Sequence, residues 1–486
     1  MKLSHKAHNL LPYLPFEPDQ NMHFLKGVSV VAVLAAATFL ANGAVAQSVT
    51  NLNALRGLMP IATLGNSDAG KAAMAANLTV TAAVQDGSAN QPLLAPFADE
   101  QQQALRDAYI TGGNGAELAD GLGTKLGAAY QAYAKVLSDD DGKTAKSSDV
   151  TPAVARLIAF ASATTGGDAT SGKYFFSNLT LDGKKPVSDE AKALMTAANG
   201  QPDAFGRAYN LLAGATGADP FGDSRPLQTE PKQTIYQGKD YFGVDSSNEV
   251  YLKGPTQDLQ ASPAYPSGHT TYGYTESLLL ALMVPERYQQ MVIRGAEYGN
   301  DRIIVGAHYA MDVLGGRTLA SYDLAQLLAG TTGYVGVTAG KVQIENFREA
   351  LAAAKADLRV ALEKACGGKV ADCAKDDTSK FADPAKDAAF YDATETYGLP
   401  VVYPENAGKT EDVATLAPEA GYLLTVAFPY VTLKQADDFL TATEGPGGTF
   451  LDSGSAFGVY SRLNLYKAAA LAADANAKAT PPAPSK

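Results

Sequence analysis

Positive charge, cysteine, histidine and long apolar runs are all in short supply in this chain. Lys and Arg together number 39 against 51 Asp and Glu, for a formal net charge of -12. A surface this acidic argues against general binding to nucleic acid or to anionic lipid heads, so any anion handled here needs a local cluster of positive groups. Beyond residue 46 no stretch is apolar enough to read as a membrane span, which argues against integral membrane association. The only two cysteines, Cys366 and Cys373, have six residues between them, which is not the CxxC spacing of a zinc ribbon or a thioredoxin-like motif. Strand-like alternation is scarce and no internal repeat is visible.

What is there begins with a processing segment. Lys26 precedes an apolar run from Val28 to Leu40, and Ala44-Val45-Ala46 supplies small residues for cleavage after Ala46. Pro12, Pro15, Glu17 and Asp19 suit a signal peptide poorly and favour Met22 as the start. The expectation is a periplasmic or secreted protein. In an oxidising compartment Cys366 and Cys373 are then expected to close a small disulfide loop around Gly367-Gly368. Export also thins the histidines. Of the five, His5, His8 and His23 precede Ala46, so the mature chain keeps His269 and His308.

The pattern predicts a mainly α protein. Residues 1–46 are the signal peptide, 47–150 a helical N-terminal region and 151–330 the core. Residues 331–475 form a helical and loop extension, and 476–486 a disordered Pro/Ala/Lys-rich tail. Within the N-terminal region, 47–97 is Ala-rich with weak periodicity, whereas 99–137 has helical spacing. Asp219 to Pro266, rich in proline and tyrosine, reads as irregular backbone of the kind that carries function. Three strong helices are expected at His269–Met283, Pro285–Val305 and His308–Leu328, and another at Val342–Lys364.

Three short pieces carry chemistry: Arg225-Pro226; Pro266-Ser267-Gly268-His269; and Arg302, five residues, His308, three residues, Asp312. His308 and Asp312 have i, i+4 spacing on one expected helix, so the carboxylate can hold Nδ1–H and leave Nε2 with a lone pair. A histidine so oriented can attack phosphorus. Gly306 allows a sharp break that puts His308 at a helix N-terminus, where negative charge is favoured. Ser267 and Gly268 form a turn able to donate to an anion, and His269 opens the next helix as a proton donor. Arg225 and Arg302 offer forked donors matched to phosphoryl oxygens.

These pieces resemble the signature of the PAP2 phosphatase and vanadium haloperoxidase superfamily, and Tyr265–Met283 with Arg294–Gly316 is similar in texture to class A non-specific acid phosphatases. The resemblance implies an α-helical, metal-independent bundle carrying extra N- and C-terminal helical and loop segments. It further implies His308 as nucleophile, His269 as acid, Asp312 as orienting carboxylate, and Arg225, Ser267, Gly268 and Arg302 as phosphate ligands. The implied activity is hydrolysis of small phosphomonoesters through a phosphohistidine, with a bell-shaped pH profile. Two positions depart from the pattern. The family's Lys falls at Ala218, where Arg207, Lys232 or Lys239 could replace its charge. Asp301 stands for a Ser and is expected to face Arg302 or solvent.

Other readings compete. The same pocket could hold vanadate, as an inhibitor or as the cofactor of a haloperoxidase, and a soluble phosphatidate-type phosphatase would share the motif. Two histidines and Asp312 could form a metal triad, though Arg225 and Arg302 are poor neighbours for a cation. A non-catalytic phosphate-binding protein is a further class. Tyr265, Tyr272 and Tyr274 read as packing, with Tyr265 also a candidate for the pocket mouth. The sequence leaves monomer and homo-oligomer both open.

Overall fold

Short polar side chains set where the helices begin. Ser48, Ser67, Thr151, Ser188, Ser267 and Asn346 each precede a helix and accept a backbone N–H from its first turn. Gly87, Gly330 and Gly367, all left-handed, end three of them. The computed structural model describes residues 48–109, 115–134, 136–138, 145–147, 150–229, 233–249, 259–375 and 377–479. The expected signal peptide, most of the acidic loop after Ser138, and residues 480–486 of the tail lie outside them.

The helices of eight residues or more are α1 (Val49–Leu58), α2 (Asp68–Asp86), α3 (Phe97–Asp107), α4 (Thr124–Ala134), α5 (Pro152–Asn178), α6 (Asp189–Ala197), α7 (Gly268–Met283), α8 (Tyr288–Ile304), α9 (Ala310–Ala329), α10 (Phe347–Cys366), α11 (Pro384–Thr394), α12 (Leu433–Ala442) and α13 (Leu465–Lys478). A 3-10 segment, Gly115–Leu122, joins the α3 and α4 regions. Strand is confined, among the described residues, to three two-stranded antiparallel hairpins: β1 (Val136–Ser138) with β2 (Ala145–Ser147), β3 (Gln237–Lys239) with β4 (Asp245–Ser247), and β5 (Thr338–Ala339) with β6 (Val342–Gln343). The protein is mainly α, as the periodicity predicts.

α7, α8 and α9 form the centre. Every residue of α7 except Tyr272 is buried, as is every residue of α8 except Gln289 and Gln290. Helices hidden all round must pack closely. A Cβ on Gly273 would stand 2.1 Å from the Tyr298 ring, so α7 and α8 touch backbone to side chain there. Two hydrophobic clusters flank this centre. One gathers α1, α2, Phe175, Phe176 and the first half of α9; the other gathers α4, the start of α5, α10 and the C-terminal helices around the second half of α9. The regions flanking 151–330 thus share its cores.

Burying α8 also buries its charges. Arg294 donates to both Asp107 carboxylate oxygens (2.5 and 2.7 Å) and to Asp120 (2.6 Å), tying α8 to α3 and the 3-10 segment. Removing one partner from such a cluster strands the others, at a cost of about 3–5 kcal/mol. Arg294→Met is therefore expected to lower unfolding free energy by about that amount in urea titrations; a loss near zero would mean that Asp107 and Asp120 find other partners.

Residues 47–97 hold more helix than their weak periodicity suggested. The inner face of α2 is Gly70, Ala73, Met74, Asn77, Thr81, Val84 and Gln85, too small and too polar to print an apolar stripe. Asn77 and Thr81 are buried because Asn77 Oδ1 accepts the Met311 N–H (3.0 Å) and Thr81 Oγ1 the Ala310 N–H (3.1 Å). The N-terminal region thus satisfies the opening turn of α9.

At the far end of α10, Cys366 and Cys373 are disulfide-bonded around Gly367-Gly368.

Candidate active site

Gly306 adopts φ +80°, which ends α8 after Ile304 and turns the chain toward α9. The adjoining loop closes over that turn: Gln233 donates to the Val305 carbonyl (2.9 Å), and a Cβ on Gly306 would meet its amide at 1.8 Å. His308 follows outside any helix, two residues before α9 begins at Ala310. It is therefore not on the helix with Asp312, as its spacing implied. Asp312 reaches back instead. Its Oδ2 accepts the Tyr309 N–H (2.8 Å) and stands 3.3 Å from His308 Nδ1. One carboxylate oxygen caps the helix and orients the imidazole. With Tyr309, Ala310 and Met311 N–H all held by side chains, the start of α9 is not the anion-binding terminus the sequence suggested.

The other ring nitrogen, Nε2, meets two donors: Arg225 Nη1 at 3.1 Å and His269 Nδ1 at 3.2 Å. The Nδ1–Asp312 contact favours a proton on Nδ1 and a lone pair on Nε2. His269 is placed by the second motif piece. Ser267 Oγ accepts the Thr270 N–H (3.0 Å) as the cap of α7, and the Ser267 N–H bonds the Asp312 carbonyl (3.0 Å), so this turn is stitched to α9. Gly316 allows that approach, since a Cβ there would stand 2.5 Å from the Ser267 carbonyl.

Arg225 is held by carbonyls. Its Nε donates to Ser262 O (2.9 Å), Nη1 to Ala307 O (3.0 Å) and Nη2 to Pro263 O (3.1 Å). The irregular segment containing it is pinned at both ends, for Asp223 accepts the Tyr265 N–H (2.6 Å) and its carbonyl the Ala264 N–H (3.0 Å). Arg302 lies buried with its guanidinium over the Tyr298 ring (4.7 Å) and near the Ala104 carbonyl (3.5 Å). His308, His269, Asp312, Arg225, Ser267 and Gly268 thus converge, while Arg302 reaches the pair through its field on both imidazoles.

Burial, then Arg225 and Lys173, holds His308 well below its usual value. Burial, then Arg302 and Arg225, does the same to His269. Both imidazoles are accordingly neutral here, so His269 is not the ready-protonated acid the sequence implied. Burial lifts Asp312 to about 7, against the lowering effect of the Tyr309 N–H, Arg225 and Lys173. Arg225 at 3.1 Å from Nε2 sets a fixed positive charge where a metal on His308 would sit, which disfavours a cation at that position. Among the described residues, no group of three His, Cys, Asp or Glu side chains could hold a metal ion.

The positions that depart from the motif find their own surroundings. Arg207 is exposed and donates to the Pro202 carbonyl (2.9 Å), and Lys239 is exposed and paired with Asp245, so neither enters the site. Lys232 lies outside the described residues. The nearby cation is one that no motif marks: Lys173 of α5, whose Nζ donates to the Pro263 carbonyl at 2.7 Å. Asp301 does not face solvent. It is fully buried and pushed up by burial, then by the neighbouring carboxylates Asp107 and Glu297. Tyr265 is not at a pocket mouth; it is fully buried against Phe176, Phe205 and Phe450.

Fold and site together define a helical core that presents two facing histidines to a bed of buried cations. Residues 219–326 match the sequence model of the PAP2 superfamily. It is similar to an acid phosphatase of Zymomonas mobilis, at 36% identity over 17% of this chain and 32% of that protein. It is also similar to non-specific acid phosphatases of Salmonella typhimurium (44% identity, 14% of this chain and 28% of that protein) and Providencia stuartii (29% identity, 30% and 61%). The chain covers less than two thirds of the length of each of these relatives. Among the described residues no helix is long and apolar enough to cross a membrane.

Proposed function

We propose that the chain is an exported acid phosphatase that hydrolyses small phosphomonoesters through a phosphohistidine on His308. The observation that carries this reading is His308 itself. Its Nδ1 is tied to Asp312 while its Nε2 faces Arg225 and His269, so a neutral nucleophile sits among donors suited to phosphoryl oxygens. Nε2 attacks phosphorus, the N–P bond forms and the ester P–O bond breaks. His269 hands a proton to the departing alkoxide and then takes one from the water that cleaves the N–P bond. Nδ1 and Nε2 of the two rings lie 3.2 Å apart, too close to admit a phosphoryl group between them, so the His269 side chain must swing aside as substrate enters.

Because both histidines are held neutral, the proton needed by the leaving group enters with a monoanionic substrate. Phosphate esters have a second pKa of about 6, so kcat/KM falls as pH rises past that value. The similarity to proteins named acid phosphatase agrees with this direction. The Cys366–Cys373 bond supports export.

The leaving group provides the test. His269→Ala should lose about 10²- to 10⁴-fold in kcat on an alkyl phosphate such as glycerol phosphate. On p-nitrophenyl phosphate, whose phenolate departs without a proton, the loss should be much smaller. Equal losses on the two substrates would remove His269 from the proton-donor role.

A further inference from the structure

We propose that Lys173 supplies the phosphoryl-binding positive charge that the motif lacks at Ala218, reaching the site from α5 rather than from the loop preceding Arg225. This rests on the phosphatase reading and names a ligand for that site.

Lys173 is a misfit by the rules of its own helix. It lies among Ala169, Gly172, Phe175 and Phe176, all buried, and is itself buried to 8% exposure. Burying an ammonium costs several kcal/mol unless it is paired. Its Nζ has one hydrogen-bond partner, the Pro263 carbonyl at 2.7 Å. Arg225 Nη2 donates to that same carbonyl at 3.1 Å. Two cations therefore converge on a single oxygen, and among the described residues neither forms an ion pair. The stem of Lys173 lies beside the motif turn, with Cε 3.3 Å from where a Gly268 Cβ would stand. Helix α5 thus delivers an ammonium to the junction of the Arg225 loop and the Ser267-Gly268-His269 turn.

The groups that face it define what it can bind. Arg225 repels it; Asp312, Asp223 and Asp219 attract it from beyond ion-pair distance; His308 and His269 both feel its charge. The nearest of the acids are engaged elsewhere, Asp312 with Tyr309 and His308, Asp223 with Tyr265, Asp219 with the Phe221 N–H (2.7 Å). Burial, then Arg225, brings the amine down to about 7. An anion held between Lys173 and Arg225 would favour the ammonium form and pull that value back up. Phosphate binding above neutral pH should consequently carry a proton with it, and affinity should weaken as pH rises through about 7.

Inorganic phosphate and the full chain provide the test, by calorimetry at pH 8 in buffers of differing ionisation enthalpy, with p-nitrophenyl phosphate turnover measured alongside. Wild type should bind phosphate with net proton uptake. Lys173→Met should bind about 10- to 100-fold more weakly, the worth of one charge-assisted contact, and with less proton uptake. Lys173→Arg should retain most of the affinity while taking up less proton than wild type and losing affinity less steeply near pH 7, since a guanidinium does not titrate there and only the phosphate's own ionisation remains. If the Met variant does not fold, the Arg variant carries the test alone. Unaltered binding in Lys173→Met, or proton uptake as large in Lys173→Arg as in wild type, would overturn the assignment while leaving the phosphatase reading standing. Wild type that neither binds phosphate nor turns over ester would sink both.

Discussion

His308→Ala should leave a folded protein that binds phosphate and turns over p-nitrophenyl phosphate at least about 10³-fold more slowly. The size of the effect follows from the division of labour in the site. Arg225 is fixed by Ser262, Pro263 and Ala307 carbonyls, so the cationic bed does not depend on the His308 ring. On the proposed mechanism, removing the ring takes away the attacking atom and leaves binding largely in place, a fall in kcat with little change in KM. The wild-type enzyme, quenched in alkali during turnover, should yield a phosphoramidate label on the peptide carrying His308, and the variant none. A variant retaining most of its turnover would mean that water or another group attacks phosphorus directly.

Asp312→Asn should lower kcat by about 10²- to 10⁴-fold without unfolding the chain. The amide oxygen can still accept the Tyr309 N–H, so the start of α9 keeps its cap. That same oxygen still faces His308 Nδ1, with the amide NH₂ in the place of Oδ1, so the variant removes the negative charge beside the imidazole while keeping its tautomer. Ring ¹⁵N shifts of His308 should show Nδ1 still protonated, which separates loss of the charge from loss of the tautomer. Asp312→Ala is the less informative variant, since it removes cap and orienter together. If the Asn variant works within a few-fold of wild type, Asp312 serves the helix alone.

Much of this site was legible because its residues fall in three short contiguous pieces, where spacing constrains geometry. Arg225, Ser267, Gly268, His269, His308 and Asp312 converge as the pieces suggested. The details that escaped are set by tertiary contacts. The i, i+4 spacing of His308 and Asp312 looked helical, yet the left-handed Gly306 leaves His308 outside α9 and makes Asp312 turn back. Asn77 and Thr81 interrupt the apolar face of α2 because the N–H groups they accept belong to a helix more than two hundred residues away. Ala218 drew attention to Arg207, Lys232 and Lys239, whereas Lys173, the cation we assign in its place, lies further upstream on a different element. A signal for it did exist: a lone lysine at the spacing of Ala169 and Phe176 on a buried helical face. The helical content of α7 to α9 was plain, whereas α2 was hidden by the small size of its inward residues.

The shared oxygen of Asp312 has a further consequence. It accepts from the Tyr309 amide and faces the imidazole we propose as the nucleophile, so a single transient opening of that turn both frays the helix and misaligns that ring. The Tyr309 amide proton is therefore a built-in clock for the active form. Its exchange with solvent counts the moments when the enzyme is folded but disarmed.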